Sequence, residues 1–177
     1  MEVFLDALRK HLSLFIATFG YAGLSPKAPG TMGSLAALPF AWFLWQQSPL
    51  VAWGIFLFTF LIGTWAAQEV VTRSGKEDNQ KIVIDEVLGI FLTTSVVPAS
   101  FLSLRETLCR VLFFVFCFAA FRFFDILKPG PVGWADRKIK GGLGVIVDDL
   151  VAGLLAAIAA FIFSFFLATL WPIPILK

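Results

Sequence analysis

The chain has 177 residues, of which 59% are hydrophobic and only 15% are charged. This balance leaves too little polar surface for a soluble domain, and it is far too apolar for a disordered chain. Lysine and arginine number 14 against 12 aspartates and glutamates, so a net charge of +2 provides no basic surface for nucleic acid. We therefore expect an integral membrane protein, a single domain over residues 1–177, with no nucleic-acid partner.

Residues 1–20 have the spacing of an amphipathic helix. Apolar side chains recur every three or four positions, and the charged residues fall on the opposite face. The apolar set is Phe4, Leu5, Leu8, Leu12, Phe15, Ile16 and Phe19. Two interpretations remain open, because this helix either lies in the membrane interface or packs its apolar face on the protein itself. Residues 21–177 then form the transmembrane core.

Charged residues divide that core into apolar runs. About 20 apolar residues are needed to cross the roughly 30 Å hydrocarbon layer. The runs predict transmembrane helices near residues 31–47, 50–68, 87–104, 107–125 and 146–171. The 87–104 run is short and contains Pro98, so it is either a full span or a re-entrant segment, which would leave four spans. The predicted fold class is an all-α, polytopic membrane helix bundle with about five spans.

The loops between five spans divide the basic residues unequally. One side receives Arg9, Lys10, Lys27, Arg73, Lys76, Lys81, Arg122, Lys128, Arg137, Lys138 and Lys140. The other side receives Arg105, Arg110 and Lys177. Because lysine and arginine concentrate in cytoplasmic loops, we expect the first side to face the cytoplasm. Nearly all the acids lie on that side too, which indicates chemistry at one membrane surface rather than transport across the membrane.

Two pairs of adjacent acids stand where predicted spans begin. Asp85-Glu86 lies in the run 82–88, and Asp148-Asp149 lies in the similar run 145–151. Acids in a first helical turn are favoured by the helix dipole, so one such pair needs no further explanation. Two pairs at a membrane rim repel strongly, which favours a bound divalent cation. Oxygen ligands suit Mg²⁺, and the one histidine and two mid-span cysteines provide no zinc site.

Asp125 ends the fourth predicted span and introduces a basic segment. The stretch from Lys128 to Arg137 contains two prolines and two glycines, which predicts a rigid loop rather than a helix. Such a loop would hold Lys128 and Arg137 at the surface as ligands for an anion. The alternative is that Arg122 and Lys128 only anchor a span by extending to the membrane surface.

Two glycine-containing segments are suited to phosphate. Residues 140–144 precede the last span, and residues 27–34 open the first, with Thr31 as its expected N-cap. Backbone N–H groups at a helix start carry partial positive charge and bind anions. In the five-span topology the first, third and fifth helices all begin on the same side. Three positive helix ends would therefore face one surface.

Four of these runs together resemble one family. They are Pro29–Ser34, Ile84–Gly89, Phe121–Pro129 and Gly141–Gly153, and they resemble bacterial phosphatidylglycerophosphatase A over roughly residues 15–160. The resemblance implies a Mg²⁺-dependent phosphatase of the bacterial inner membrane. Its reaction would be hydrolysis of the terminal phosphate of phosphatidylglycerophosphate to phosphatidylglycerol at the cytoplasmic face. Its partners would be this phospholipid substrate and the surrounding membrane lipids.

Such a reaction requires neutralised phosphate charge and an aligned nucleophile. We assign the metal to Asp85, Glu86, Asp148 and Asp149. We assign catalysis to Asp125, Asp148 and Asp149, with Asp125 either as general base or as a nucleophile that forms an aspartyl-phosphate. Substrate binding is assigned to Lys27, Thr31, Ser34, Arg122, Lys128, Arg137, Lys140, Gly141 and Gly142. The number of Mg²⁺ ions and the oligomeric state are left open.

Two other functions compete with the phosphatase. A membrane phosphoalcohol transferase would carry an Asp-Gly-x-x-Ala-Arg core, and this sequence contains none. A non-enzymatic cation carrier would place ionisable residues near the middle of the membrane, whereas the predicted spans are free of charge in their interiors. Both observations favour the phosphatase.

Overall fold

The computed structural model describes residues 1–76, 79–96 and 107–170, and within these ranges the chain is helical without strands. In chain order the α-helices are α1 Glu2–Ala17, α2 Pro29–Leu44, α3 Pro49–Ser74, α4 Ile84–Thr94, α5 Thr107–Leu127, α6 Pro131–Lys138 and α7 Gly141–Leu170. A short 3₁₀ helix, Ala22–Leu24, joins α1 to α2. The predicted all-α fold class is confirmed.

Among the described residues, three helices are long and apolar enough to cross a membrane, namely Pro49–Ser74, Thr107–Leu127 and the part Gly141–Leu167 of α7. They correspond to the second, fourth and fifth predicted spans. The first corresponds to α2, whose 16 residues extend about 24 Å at the helical rise. The third corresponds to α4, which has 11 residues. Residues 97–106 and 171–177, with Pro98, Arg105 and Lys177, lie outside the described residues.

The N-terminal helix α1 is attached to α3 through its charged face. Arg73 of α3 lies 2.5 Å from Asp6, and Arg9 lies 2.7 Å from Glu69. Much of the apolar face stays exposed, including Phe4, Leu5, Leu8, Leu12 and Phe15. A helix packed through its apolar face would bury these side chains. Ile16 and Phe19 of the same apolar set do pack against the core, so the position of residues 1–20 in the membrane interface stays a prediction.

The short helix α4 lies in the centre of the bundle, where eight of its 11 residues are buried. It packs closely on α7, where a Cβ atom added to Gly153 would lie only 2.7 Å from the Gly89 carbonyl oxygen. The Thr93 hydroxyl oxygen lies 2.8 Å from the Gly89 carbonyl oxygen and 3.2 Å from the Gly153 carbonyl oxygen, and its one proton can be donated to either. These contacts fix how far one helix is shifted along the other, and so decide which residues at their first turns are neighbours.

Two local predictions are wrong. The segment from Lys128 to Arg137 is not a loop throughout, since α6 occupies Pro131–Lys138. A proline in the first helical turn lacks only an N–H that would have no helical partner there, so Pro131 starts this helix instead of preventing it. Thr31 is not an N-cap, because α2 begins at Pro29 after Ala28, which has a φ of 46°.

Candidate active site

A cavity of about 760 Å³ opens where α2, α4 and α7 begin and α5 ends. Its lining includes most of the residues assigned from the sequence: Thr31, Asp85, Glu86, Arg122, Asp125, Lys128, Arg137, Lys140, Gly141, Asp148 and Asp149. The expected convergence of three helix starts on one surface is confirmed. Because the positive ends of three helices and several basic side chains surround one space, the cavity is suited to an anion.

Three carboxylates form a cluster in this cavity. Asp85, Glu86 and Asp149 each offer one oxygen, and the three oxygens lie within 4.8 Å of one another. Asp125 lies close enough to both Glu86 and Asp149 to interact with their charges. The two helices that supply the cluster are those joined at Gly89 and Gly153, so the cluster depends directly on the packing of α4 on α7.

Bringing these acids together has an electrostatic cost. Burial raises the pKa of Asp85 well above its usual value, and the charges of Glu86 and Asp149 raise it further. Burial likewise raises the pKa of Glu86, whose Oε2 is buried without a hydrogen-bond partner among the described residues. A divalent cation bound here would offset the repulsion between the three carboxylates and would be a partner for Glu86 Oε2. The donors are all oxygen, so the cluster fits Mg²⁺.

Arg122 lies inside this cluster and not at its edge. Its Nη1 is 2.6 Å from Asp125 Oδ2 and 3.8 Å from Glu86 Oε1, and only 17% of its side chain is exposed. A residue that merely anchored α5 would extend to the membrane surface. In this structure Arg122 instead holds Asp125 and ties the end of α5 to the start of α4.

The first turn of α2 forms another wall of the cluster. A Cβ atom added to Gly30 would lie 2.1 Å from Glu86 Oε1 and 3.3 Å from Arg122 Nη1. Only a residue without a side chain lets the Glu86 carboxylate occupy this position. The glycine is therefore required for close approach rather than for an unusual backbone conformation.

Lys128 contacts two acids on different helices. Its Nζ lies 2.5 Å from Asp136 Oδ1 on α6 and 2.7 Å from Asp148 Oδ2 on α7. Burial lowers the pKa of Lys128, but the hydrogen bonds to Asp136 and Asp148 outweigh burial and leave the pKa above its usual value. Asp148 is thus paired with Lys128, while its neighbour Asp149 belongs to the three-acid cluster. The other oxygen of Asp148, Oδ1, is buried without a hydrogen-bond partner among the described residues.

Three residues assigned to the substrate do not line the cavity. Ser34 is fully buried, and its hydroxyl donates to the Gly30 carbonyl oxygen at 2.9 Å. The backbone N–H of Gly142 donates to Gln68 Oε1 at 2.7 Å, which attaches the start of α7 to α3. Lys27 is exposed at the surface. Contact of Ser34, Gly142 and Lys27 with a substrate stays a prediction.

Other residues of the site were not assigned from the sequence. Asn79 and Gln80 line the cavity, Gln68 holds the first turn of α7, and Asp136 binds Lys128. The pair of glycines at residues 141 and 142 indicates that another part of the protein approaches the backbone there, but it does not identify Gln68 as the neighbour. The partnership of Asp136 with Lys128 depends on α6, which the prolines and glycines had indicated to be a loop.

Comparisons with known proteins give a consistent result. The family model described as Phosphatidylglycerophosphatase A matches residues 15–164. The chain is 35% identical to Phosphatidylglycerophosphatase A of Escherichia coli over 169 residues, covering 93% of this chain and 87% of the relative. It is 36% identical to the Haemophilus influenzae protein of the same name over 162 residues, covering 91% and 93%.

A third relative has a different name. The chain is 38% identical to a protein of Bacteroides thetaiotaomicron named "Putative phosphatidylinositol-3-phosphatase". The aligned 154 residues cover 81% of this chain and 87% of the relative. No solved structure matches the chain.

Proposed function

The chain belongs to the phosphatidylglycerophosphatase A family, and from this premise we propose that it hydrolyses the terminal phosphate of phosphatidylglycerophosphate, giving phosphatidylglycerol and inorganic phosphate. The chain is thus a phosphatase with helices suited to a membrane. One observation carries the proposal: the cluster of Asp85, Glu86 and Asp149 shares a cavity with Lys128 and Arg137. Hydrolysis of a phosphate ester requires carboxylates that bind a metal beside basic side chains that bind phosphate.

The metal of the proposed reaction is Mg²⁺, held by Asp85, Glu86 and Asp149. When bound, Mg²⁺ would neutralise phosphoryl charge and lower the pKa of a coordinated water. The unpartnered Oε2 of Glu86 and the all-oxygen donor set support this assignment. Asp148, also assigned to the metal from the sequence, has Oδ1 available for it while Oδ2 binds Lys128.

The phosphoryl oxygens are the proposed ligands of the basic side chains. Lys128, Arg137 and Lys140 line the cavity from three positions around the start of α7. Charge-assisted hydrogen bonds from lysine and arginine to phosphate are stronger than neutral ones. The backbone of Gly141, at the first turn of α7, adds the positive end of a helix.

Asp125 is the proposed catalytic carboxylate, either as general base or as nucleophile. In one route its carboxylate accepts a proton from a water whose oxygen bonds to phosphorus, the phosphorus–oxygen bond to glycerol breaks, and the glycerol oxygen takes up a proton. In the other route the Asp125 carboxylate attacks phosphorus, the phosphorus–oxygen bond to glycerol breaks, and the glycerol oxygen takes up a proton from water. A water molecule then hydrolyses the aspartyl-phosphate, which releases inorganic phosphate and restores the carboxylate. In both routes Arg122, 2.6 Å away, orients Asp125 rather than binding substrate directly.

These routes differ in a measurable way. With ³²P-labelled substrate, acid-quenched enzyme would retain label only if an aspartyl-phosphate forms. Asp125→Asn should remove any such label, while Asp136→Asn, an acid of the same cavity outside the cluster, should not.

The proposed orientation is cytoplasmic, in the bacterial inner membrane. The starts of α2, α4 and α7 and the end of α5 meet at the cavity, so the site lies at one end of the bundle. The basic residues that line it belong to the side that the positive-inside rule assigns to the cytoplasm. This side is also where a phospholipid headgroup at the inner leaflet would meet the site.

A second substrate is suggested by the relative named as a phosphatidylinositol-3-phosphatase. A cavity of about 760 Å³ is within the range of pockets that hold ligands larger than glycerol phosphate. Phosphatidylinositol 3-phosphate is also a phosphate monoester on a lipid headgroup, so the same residues would serve it.

Phosphate release by the purified protein in detergent tests the proposal. Phosphatidylglycerophosphate and phosphatidylinositol 3-phosphate would be supplied separately, each with Mg²⁺, with EDTA, and with EDTA followed by excess Mg²⁺. We expect release from the first lipid, abolished by EDTA and restored by Mg²⁺, and no release from Asp85→Asn prepared identically. Phosphate release that persists in EDTA would contradict the proposed Mg²⁺ dependence. Faster hydrolysis of the inositol lipid would contradict phosphatidylglycerophosphate as the substrate.

A further inference from the structure

Lys128 has an unusual backbone conformation for a residue at the centre of a site. Its φ is 44°, in the left-handed region that residues with a side chain seldom adopt. Its N–H donates to the Phe124 carbonyl oxygen at 2.9 Å, so it directly closes the end of α5. Such a conformation persists only where the surrounding structure holds it.

The helix α6 provides that support. The chain turns at Gly130, whose φ is also positive, and α6 then runs against the backbone of Lys128. A Cβ atom added to Gly133 would lie 2.6 Å from the Lys128 carbonyl oxygen. One turn of this helix therefore packs on Lys128, and the next turn brings Asp136 to the Lys128 ammonium group.

The ammonium group lies between two carboxylates of different character. The Asp148 side chain is 8% exposed and the Asp136 side chain is 44% exposed. A lysine ammonium has three hydrogen-bond donors, and these two acids accept two of them. Within the part of the chain that the structure describes, no other acceptor is in contact with it, so the third donor can reach a ligand in the cavity that Lys128 lines.

We infer that Asp136 is a positioning residue for Lys128, holding its ammonium group at the cavity wall where a phosphoryl oxygen of the substrate can accept the third hydrogen bond. This inference rests on the proposed function and extends it. Without Asp136, the attraction of the largely buried Asp148 would act alone and draw the ammonium group away from the phosphate. Because Asp136 is well exposed, its ion pair contributes little to the stability of the fold.

A double-mutant cycle tests this role. We expect Asp136→Asn to lower kcat/KM about tenfold with an unchanged melting temperature, and Asp136→Glu to restore most of the loss. In a Lys128→Gln background, Asp136→Asn should cause less than about a twofold further decrease, because a residue that acts only through Lys128 has nothing left to position. Lys138→Gln, an exposed residue on the same helix, serves as the control and should leave kcat/KM unchanged.

Two outcomes would overturn the inference. One is Asp136→Asn with wild-type kcat/KM, and the other is an equal loss in the wild-type and Lys128→Gln backgrounds. A second measurement does not depend on turnover: inorganic phosphate should protect the protein from thermal unfolding, and Asp136→Asn should need about tenfold more phosphate for half the protection. If the wild-type protein releases no phosphate from any lipid, the proposed function fails, while this binding measurement still decides the role of Asp136.

Discussion

Gly89 and Gly153 meet where α4 packs on α7, and each stands one helical turn after an acid of the cluster. The residues four positions earlier are Asp85 and Asp149. Residues four apart lie on the same face of a helix, so the glycine contact brings the two carboxylates together at the first turns. The packing of α4 on α7 therefore also decides which acids meet in the site.

Widening this contact should damage the site. In Gly153→Ala the added methyl group would lie 2.7 Å from the Gly89 carbonyl oxygen, and a backbone atom cannot move aside cheaply. We expect a loss of stability of about 1–3 kcal/mol and a fall in phosphate release per folded molecule. Thermal unfolding in detergent and initial rates would measure both. Gly54→Ala in α3 is the control, because nothing lies within 4 Å of its new Cβ atom, and equal behaviour of the two variants would contradict the argument.

Removing a metal ligand should abolish turnover without unfolding the protein. Asp85→Asn and Asp149→Asn each delete one charge from a repelling cluster, so membrane insertion and extraction should stay normal. We expect kcat/KM to fall by at least about 10²-fold in each variant. Near-normal rates for both variants at saturating Mg²⁺ would show that the cluster does not hold the metal.

A methyl group beside Glu86 should weaken metal binding selectively. In Gly30→Ala the new Cβ atom would lie 2.1 Å from Glu86 Oε1, and the flexible carboxylate would have to move. Stability should change little, but the Mg²⁺ concentration for half-maximal rate should rise about tenfold or more. A magnesium titration of the rate checks this, and an unchanged half-maximal concentration would exclude Glu86 as a ligand in this position.

The basic residues of the cavity should contribute to turnover rather than to anchoring. Lys128→Gln and Arg137→Gln each remove a charge-assisted contact to the phosphoryl group, so kcat/KM should fall on the order of 10²-fold at unchanged expression. Lys128→Arg should not restore the rate, because a planar guanidinium does not reproduce the geometry of an ammonium. Lys140→Gln should have a smaller effect. Wild-type rates in Lys128→Gln would contradict its assignment to substrate.

Sidedness can be measured by cysteine labelling. With Cys109 and Cys117 replaced, single cysteines at Lys76 and at Lys138 should react with a membrane-impermeant reagent only after the cytoplasmic face is opened. Both positions are exposed at the end of the bundle that carries the cavity. Labelling of intact cells from outside would reverse the orientation and place the site on the other face.

The sequence by itself determined the helical fold with its long apolar segments and the residue types that line the cavity. Apolar runs free of charge are long enough to cross a membrane, and this property belongs to each segment alone. The acids at 85–86 and 148–149 and the glycines at 141–142 stand at helix starts, which local patterns also reveal. Local patterns predict a loop at residues 128–137, and this prediction is wrong. Proline is unfavourable inside a helix but favourable at its first position, so Pro131 begins a helix.

Only the tertiary structure decided which neighbours share a function. Asp148 and Asp149 are adjacent in sequence, yet Asp149 joins the three-acid cluster and Asp148 binds Lys128. Successive residues on a helix point about 100° apart, so adjacent acids face different partners, and the rotation of α7 against α4 selects them. That rotation is fixed by the contact of Gly89 with Gly153, which involves residues far apart in the chain. Local periodicity specifies a helix and its faces, but long-range packing specifies what each face meets.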